Sequence, residues 1–286
     1  MNKINKDQIR IVRAYRKCGY SYKEIAKLLS LSPATIYKYA SHIELNSKAK
    51  NRLALKIKNN ISNFVNLWSK PKEIRVIRSL NKPLTRIISH CLFDGCVISY
   101  RGNYIIKYTN SSREEVKQFV KDFYSVFNIK PQIVYKYKGV NLEIYECIFI
   151  SKKAVEFLRG YIKNYSTSNE NSSLDKLTPL LKTDALKIEF LRCFWCDEGC
   201  IDARNQIHGK SKSLRIIKQL KHLHNAFDIG TSIWRDNTSE VYALYIKKSK
   251  ENLKRFSEIG FGNGVVAKGY NIGLKKESLF KNVLER

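Results

Sequence analysis

The sequence predicts an α+β chain: an all-α unit at the N-terminus, then two pseudo-symmetric copies of a repeat in which helices and hairpins alternate. Three observations predict it. The first forty residues carry paired helix-start signals and no period-2 alternation. Two apolar runs, IISHCLFDGCV at 87–97 and FLRCFWCDEGCI at 190–201, end on an acid followed by glycine, Asp94-Gly95 and Glu198-Gly199. The segments after each pair then follow one order, the mark of an internal repeat.

Residues 1–45 form the all-α unit. In KDQIRIVRAYRKC (6–18), Ile9, Val12 and Tyr15 recur every third residue between basic side chains, which reads as an amphipathic helix. Ser21 with Glu24 makes a capping box for a second helix with Ile25, Ala26 and Leu29 on its apolar face. Ser32-Pro33 opens a third, with proline at the first helical position. Two short helices joined by SLS give a helix-turn-helix layout. It resembles the DNA-binding domains of recombinases and resolvases. The last helix would then offer Ala34, Thr35, Tyr37, Lys38 and Ser41 to a major groove. The plainer reading is an αα-hairpin that packs on the rest of the chain; the basic surface favours DNA.

Residues 46–80 read as a basic connector, 81–164 as the first repeat, YSTSNENSS (165–173) as a polar linker and 174–286 as the second repeat. In the first, the run ending at Asp94 is followed by a hairpin, the helix EEVKQFVKDF, a second hairpin including LEIYECIFI (142–150) and the helix KKAVEFLRGYI (152–162). In the second, SLRIIKQLKHL, EVYALYIKK (240–248) and KENLKRFSEIGF (250–261) hold the matching places. Alternation sets Ile98 and Tyr100 against Ser99 and Arg101, and Ile133, Tyr135 and Tyr137 against Val134, Lys136 and Lys138. Such sheets would cover one face with helices and leave the more polar face for a partner.

Fifty-three Lys and Arg against 25 Asp and Glu leave a formal net charge of +28, which suits a polyanion and a salt-dependent association. A hydrophobic fraction of 43% excludes a disordered basic tail. No apolar run is long enough to span a membrane and MNKINKDQIR has no signal-peptide core, so the expectation is a soluble, cytoplasmic protein. Seven cysteines, an odd number, suit reduced thiols. Cys193, Cys196 and Cys200, with His208, His222 and His224, raise a zinc alternative. There is no second CxxC, and core packing explains the same residues.

Proline at 83 and glycine at 95 and 199 place both acids at helix C-terminal ends, with the glycines as left-handed caps. That end of the macrodipole disfavours a carboxylate by about 0.3–1 kcal/mol. The same cost at two matching places points to function, and a shared divalent cation would offset it. IISHCLFDG and LRCFWCDEG resemble the two motifs of the LAGLIDADG homing endonucleases in their single-chain form, over residues 81–275.

The resemblance implies two αββαββα units forming a saddle-shaped DNA-binding platform, active as a monomer. Asp94 and Glu198, with Gly95 and Gly199, would hold Mg²⁺ for phosphodiester hydrolysis in double-stranded DNA. Ser89 and Cys193 fall on the small residue that lets the motif helices pack closely, and Lys268 is the candidate catalytic lysine. The sequence departs from the motif where Leu92 and Cys196 replace an earlier acid, and where Phe93 and Asp197 replace a small residue. Candidate DNA contacts are Ser99, Arg101, Lys107, Lys136 and Lys138 in the first copy and Arg204, Gln206 and Arg235 in the second. The chain starts with Met1 and ends LFKNVLER without splicing termini, which argues against an intein; the resemblance implies an intron-encoded enzyme. The alternative is a catalytically inactive regulator or an RNA-splicing maturase; inactive relatives tend to lose the acids, and both acids stand here.

Overall fold

The computed structural model describes residues 4–55, 79–138, 143–236, 240–262, 264–267 and 271–285. The chain splits into two compact units, Met1–Pro71 and Lys72–Arg286.

The first unit holds α1 (Lys6–Lys17), α2 (Tyr22–Leu29) and α3 (Pro33–Ala40). Local chemistry sets each start. Asn5 and Gln8 form a reciprocal box on α1. Ser21 N–H donates to Glu24 Oε2 (2.9 Å) while Ser21 Oγ accepts the Glu24 N–H, the box read from the sequence. Ser32 caps α3, with Pro33 inside its first turn. Between the two helices Ser30 adopts φ 53°, which turns the chain. Val12, Ile25, Ala26, Ile36 and Ala40 meet as a small core. Gly19 has φ +82°, and a Cβ there would come within 2.9 Å of the Ala49 backbone, so the helical stretch 47–55 crosses close by.

The second unit opens with α4 (Lys82–Phe93), β1 (Gly95–Tyr100), β2 (Asn103–Asn110), α5 (Arg113–Phe127), β3 (Ile133–Lys138), β4 (Glu143–Ile150) and α6 (Lys152–Tyr161). The same order returns as α7 (Asp184–Asp197), β5 (Gly199–Ile201), β6 (Ile207–Ser211), α8 (Leu214–Asn225), β7 (Thr231–Asp236), β8 (Val241–Ile246) and α9 (Lys250–Ile259). A further helix, α10 (Lys276–Leu284), closes the described chain; the sequence reading did not place it. Caps repeat as well: Ser112 and Ser213 start α5 and α8, and Ser151 and Ser249 start α6 and α9.

Both sheets are antiparallel, in the orders β1-β2-β4-β3 and β5-β6-β8-β7. The architecture is therefore α+β with two four-stranded sheets. Val97, Ile106, Tyr108, Cys147 and Phe149 turn one face of the first sheet into the core; Ile201, Ile207, Leu244 and Ile246 do so in the second. Segment 165–173 is packed rather than loose. Tyr165 OH donates to Leu158 O (2.8 Å), Ser172 Oγ to Ser166 O (2.6 Å) and Ser213 Oγ to Ser172 O (2.8 Å). No helix of the described residues is long and apolar enough to cross a membrane.

Strand phase differs from the sequence reading. Gly95 is pressed against α4, so residues 95, 97 and 99 face the helices, while Ile98 and Tyr100 face away and are 40% and 61% exposed. In β3, Val134 and Lys136 lie opposite Cys147 and Tyr145, on the helix side, and Tyr135 lies opposite Glu146 on the open face. The expectation had taken the bulkier apolar set as the buried one; a glycine with no room for a side chain fixes the phase instead.

Candidate functional site

The motif helices α4 and α7 pack directly on each other. Ser89, fully buried, donates its hydroxyl to the Phe190 carbonyl across the contact (3.0 Å), and Cys193 is buried in the same contact layer. Both small residues thus lie where the sequence reading put them. Arg86 clamps the outer side, donating to Asp122 at 2.7 and 2.8 Å and to Glu189 at 3.0 Å. Its guanidinium is held above its ordinary pKa by the Asp122 hydrogen bonds, against the opposing effect of burial.

Gly95 and Gly199 are not left-handed caps, since neither has positive φ. Room is the reason for them. A Cβ on Gly95 would lie 2.5 Å from Lys107 O and 2.8 Å from Cys91 Cα; one on Gly199 would overlap Trp195 O. Each strand therefore leaves its helix close enough to hold the preceding acid at the helix end.

Asp94 and Glu198 occupy those ends, as the C-cap residues of α4 and α7, both half-buried. A polar network that the sequence reading missed joins the two ends. Asn110, at the end of β2, presents Nδ2 to Asp94 Oδ2 (3.5 Å), Tyr108 OH (3.1 Å) and Asp197 Oδ1 (3.1 Å). Carboxylates from both repeats thus meet one amide nitrogen. Tyr108 OH also donates to Asp197 Oδ1 (2.9 Å), and His90 Nδ1 faces Asp197 Oδ2 (2.8 Å).

Burial alone would keep the His90 ring neutral, but the charge of Asp197 outweighs it and the imidazole is raised well above its ordinary pKa. Glu115, 3.7 Å from His90 Nε2, has its carboxyl pushed up by burial, the His90 charge opposing. Burial likewise raises the Tyr108 phenol, with Asp197 adding to it.

The end of α7 also meets a lysine. Lys276, from α10, is buried and donates Nζ to Cys196 O (2.7 Å) and Trp195 O (3.3 Å), the last-turn carbonyls of α7. A cation at that position offsets part of the macrodipole penalty on Asp197 and Glu198. Lys268, the lysine named from sequence, and the side chain of Lys138 lie outside the described residues.

The remaining candidates divide. Lys107 is on the open face of the first sheet, ion-paired to Glu146 (3.0 Å). Ser99 lies on the helix side, opposite Tyr104. Arg101 is at the tip of the β1–β2 turn, over the Tyr100 ring at 5.1 Å. Lys136 is on the helix side and pairs with Glu143 (2.7 Å). Arg204 and Gln206 belong to a turn whose N–H groups are collected by Asp202 Oδ1, with the Arg204 side chain exposed. Arg235 lies opposite Tyr242 on the helix side, not the open one. The open faces instead carry Tyr100, Tyr135, Lys210 and the 61%-exposed Trp234. In the first unit α3 exposes Ala34, Tyr37 and Lys38, and its C-cap Ser41 is exposed too, while the Thr35 hydroxyl is engaged with Ser32 (2.8 Å).

All seven cysteines are free thiols, and among the described residues no group of three or more His, Cys, Asp or Glu could hold a metal. His224 is committed elsewhere: its Nε2 accepts from Trp195 Nε1 (2.9 Å) and its Nδ1 faces Leu220 O (2.7 Å). That tautomer is neutral, and burial lowers the ring pKa from 6.5 to about 4. A lowered histidine stabilises the fold above pH 6.5, and its contribution is lost as pH falls from 6.5 to about 4. The loss expected from this ring is about 3 kcal/mol. Urea unfolding of wild type and His224→Gln at pH 7 and pH 4 checks it: the pH-dependent loss should be smaller in the variant by up to that amount.

Comparison with known proteins adds family. The profile of the LAGLIDADG-like domain matches residues 185–260, and that of the helix-turn-helix domain of resolvase matches residues 2–42. No curated protein sequence matches the chain. Among solved structures, mesophilic variants of the homing endonuclease I-DmoI are 19% identical at TM-score 0.47, over 62% of this chain and 94% of theirs. I-DmoI in complex with DNA and Mn is 18% identical at TM-score 0.46, over 62% and 96%. Full-length DUF199/WhiA from Thermatoga maritima is 12% identical at TM-score 0.45, over 74% of this chain and 62% of its own. The two profile matches thus make residues 185–260 similar to a LAGLIDADG-like domain and residues 2–42 similar to a helix-turn-helix domain of resolvase.

Proposed function

We propose that the protein is a site-specific DNA endonuclease that makes a double-strand break in a long recognition site by metal-dependent phosphodiester hydrolysis. The supporting observation is that Asp94 and Glu198, one from each repeat, are the C-cap residues of two helices that pack together. One chain supplies both acids, so a monomer suffices.

The donor set suits Mg²⁺. That ion prefers hard oxygen ligands, keeps several waters and is commonly bound by only one or two protein carboxylates. The lack of a three-ligand cluster among the described residues is therefore compatible with it. Asp94 and Glu198 would hold the cations, with Gly95 and Gly199 keeping both acids at the helix ends. When bound, such an ion activates water and stabilises the charge that develops on the phosphate. The chain's own residues do the rest. Asn110 orients Asp94, and Lys276 keeps the end of α7 electrically tolerable. The open sheet faces would lie along the duplex, with Lys107, Lys210 and Arg204 toward phosphates and Tyr37, Lys38 and Ser41 of α3 reading a separate groove. A net charge of +28 supplies the non-specific part of the affinity.

The test uses the full-length protein and a duplex recovered by selection from a randomised library. Both strands should be cut with Mg²⁺ present and neither after EDTA. Tight binding without cutting under any divalent cation would instead support the regulator reading, which the resolvase-type domain favours.

A further inference from the structure

Resting on the endonuclease reading, we infer that Asp197 of the second repeat is a positioning residue for Asp94 of the first. The repeat relates His90 to Phe194 and Phe93 to Asp197, position by position in the two motifs. Two contacts across the helix interface are therefore counterparts. One is aromatic, with the Phe93 and Phe194 rings 5.1 Å apart; the other is polar, with His90 Nδ1 2.8 Å from Asp197 Oδ2. The aromatic version fills the same space without burying a charge, so packing alone does not call for Asp197.

The carboxylate has definite connections. Its Oδ1 accepts from Tyr108 OH (2.9 Å) and from Asn110 Nδ2 (3.1 Å). Asn110 cannot turn its amide round, because its Oδ1 is taken by the Ser112 N–H (2.9 Å). Its Nδ2 must face the carboxylates, and Asp94 Oδ2 is the outermost of them. Asp197 thus fixes Asn110, and Asn110 fixes Asp94.

Among the described residues, the second repeat does not repeat the Tyr108 and Asn110 side chains. Tyr108 pairs with Gly95, and the residue pairing with Gly199 is Gly209. The place of Asn110 is held by Ser211, which accepts the Ser213 N–H in the same way but donates to Thr167 O. The device belongs to one half-site. Disturbing it should slow one strand only.

The experiment takes the full-length protein and the selected duplex with a different dye on each strand, under single-turnover conditions with Mg²⁺. Asp94→Asn identifies the strand that depends on Asp94. Asp197→Leu should slow that strand roughly 10- to 100-fold, the effect of a small misplacement of a reacting group. The other strand's rate and the duplex Kd should stay within about twofold, so nicked DNA accumulates. Asp197→Asn, whose amide oxygen can still accept from Asn110 and Tyr108, should recover most of the rate.

A second readout does not depend on cutting. The Mn²⁺ affinity of the protein–duplex complex, read from the EPR signal of free ion, should fall about tenfold for one ion in Asp197→Leu and recover in Asp197→Asn. Should Asp197→Leu fail to fold, Asn110→Ala, which leaves the His90–Asp197 pair in place, must give the same one-strand defect. Equal slowing of both strands, or no slowing of either, overturns the inference while leaving the endonuclease reading intact. A wild type that cuts neither strand removes both.

Discussion

Asp94→Asn is expected to lower cleavage by about a thousandfold or more, because a metal-holding carboxylate contributes several kcal/mol to the transition state. The substitution is nearly isosteric. The amide oxygen of the new side chain can still accept from Asn110, now 3.5 Å from Asp94 Oδ2. Stability should therefore change by less than about 1 kcal/mol, as half-buried positions without a cavity allow. Affinity for the duplex should hold as well, since removing one negative charge near phosphate does not weaken binding. Single-turnover rates on the selected duplex, with thermal unfolding of the same preparation, make the measurement. Glu198→Gln should behave alike on the opposite strand. Full cutting by either variant would remove that acid from the reaction and leave the platform as a binding surface.

Trp195→Ala is expected to destabilise the second unit by about 3–5 kcal/mol, the cost of deleting a large buried aromatic. Trp195 is fully buried, with the rings of Phe256, Phe261 and His224 edge-on at 5.1, 6.3 and 5.6 Å. Its indole N–H donates to His224 Nε2 (2.9 Å), so truncation also takes the partner from a buried acceptor. Urea unfolding followed by near-ultraviolet circular dichroism gives the value. A loss under about 1 kcal/mol would mean that the surrounding rings close the gap. Trp195→Phe should cost much less packing and isolate the hydrogen bond.

The sequence was most informative where structure is local. Ser21 with Glu24, and Ser32 with Pro33, act within three or four residues, and both form as the residue types demand. The repeat was legible for a similar reason: helical and alternating periods survive even at low similarity between copies. The two acids and the small residues Ser89 and Cys193 were legible as motif positions. Asn110 and Lys276 were not, because their meaning lies in contacts 16 and 80 residues away. Strand phase failed for a subtler reason. In β1 the helix-facing set is Gly95, Val97 and Ser99, less apolar than Ile98 and Tyr100, and the crowding at Gly95 decides between them. Arg235 and Lys136 were assigned to the wrong face by the same reasoning about bulk.

The unlike contacts at the helix interface determine which halves can associate. Two first repeats set against each other would oppose His90 to Phe93 twice; two second repeats would bury Asp197 twice against Phe194, each time without the His90 ring. Only the mixed arrangement satisfies every group. Assembly of like halves is thus penalised by the sequence itself, because the lock needs one copy of each repeat.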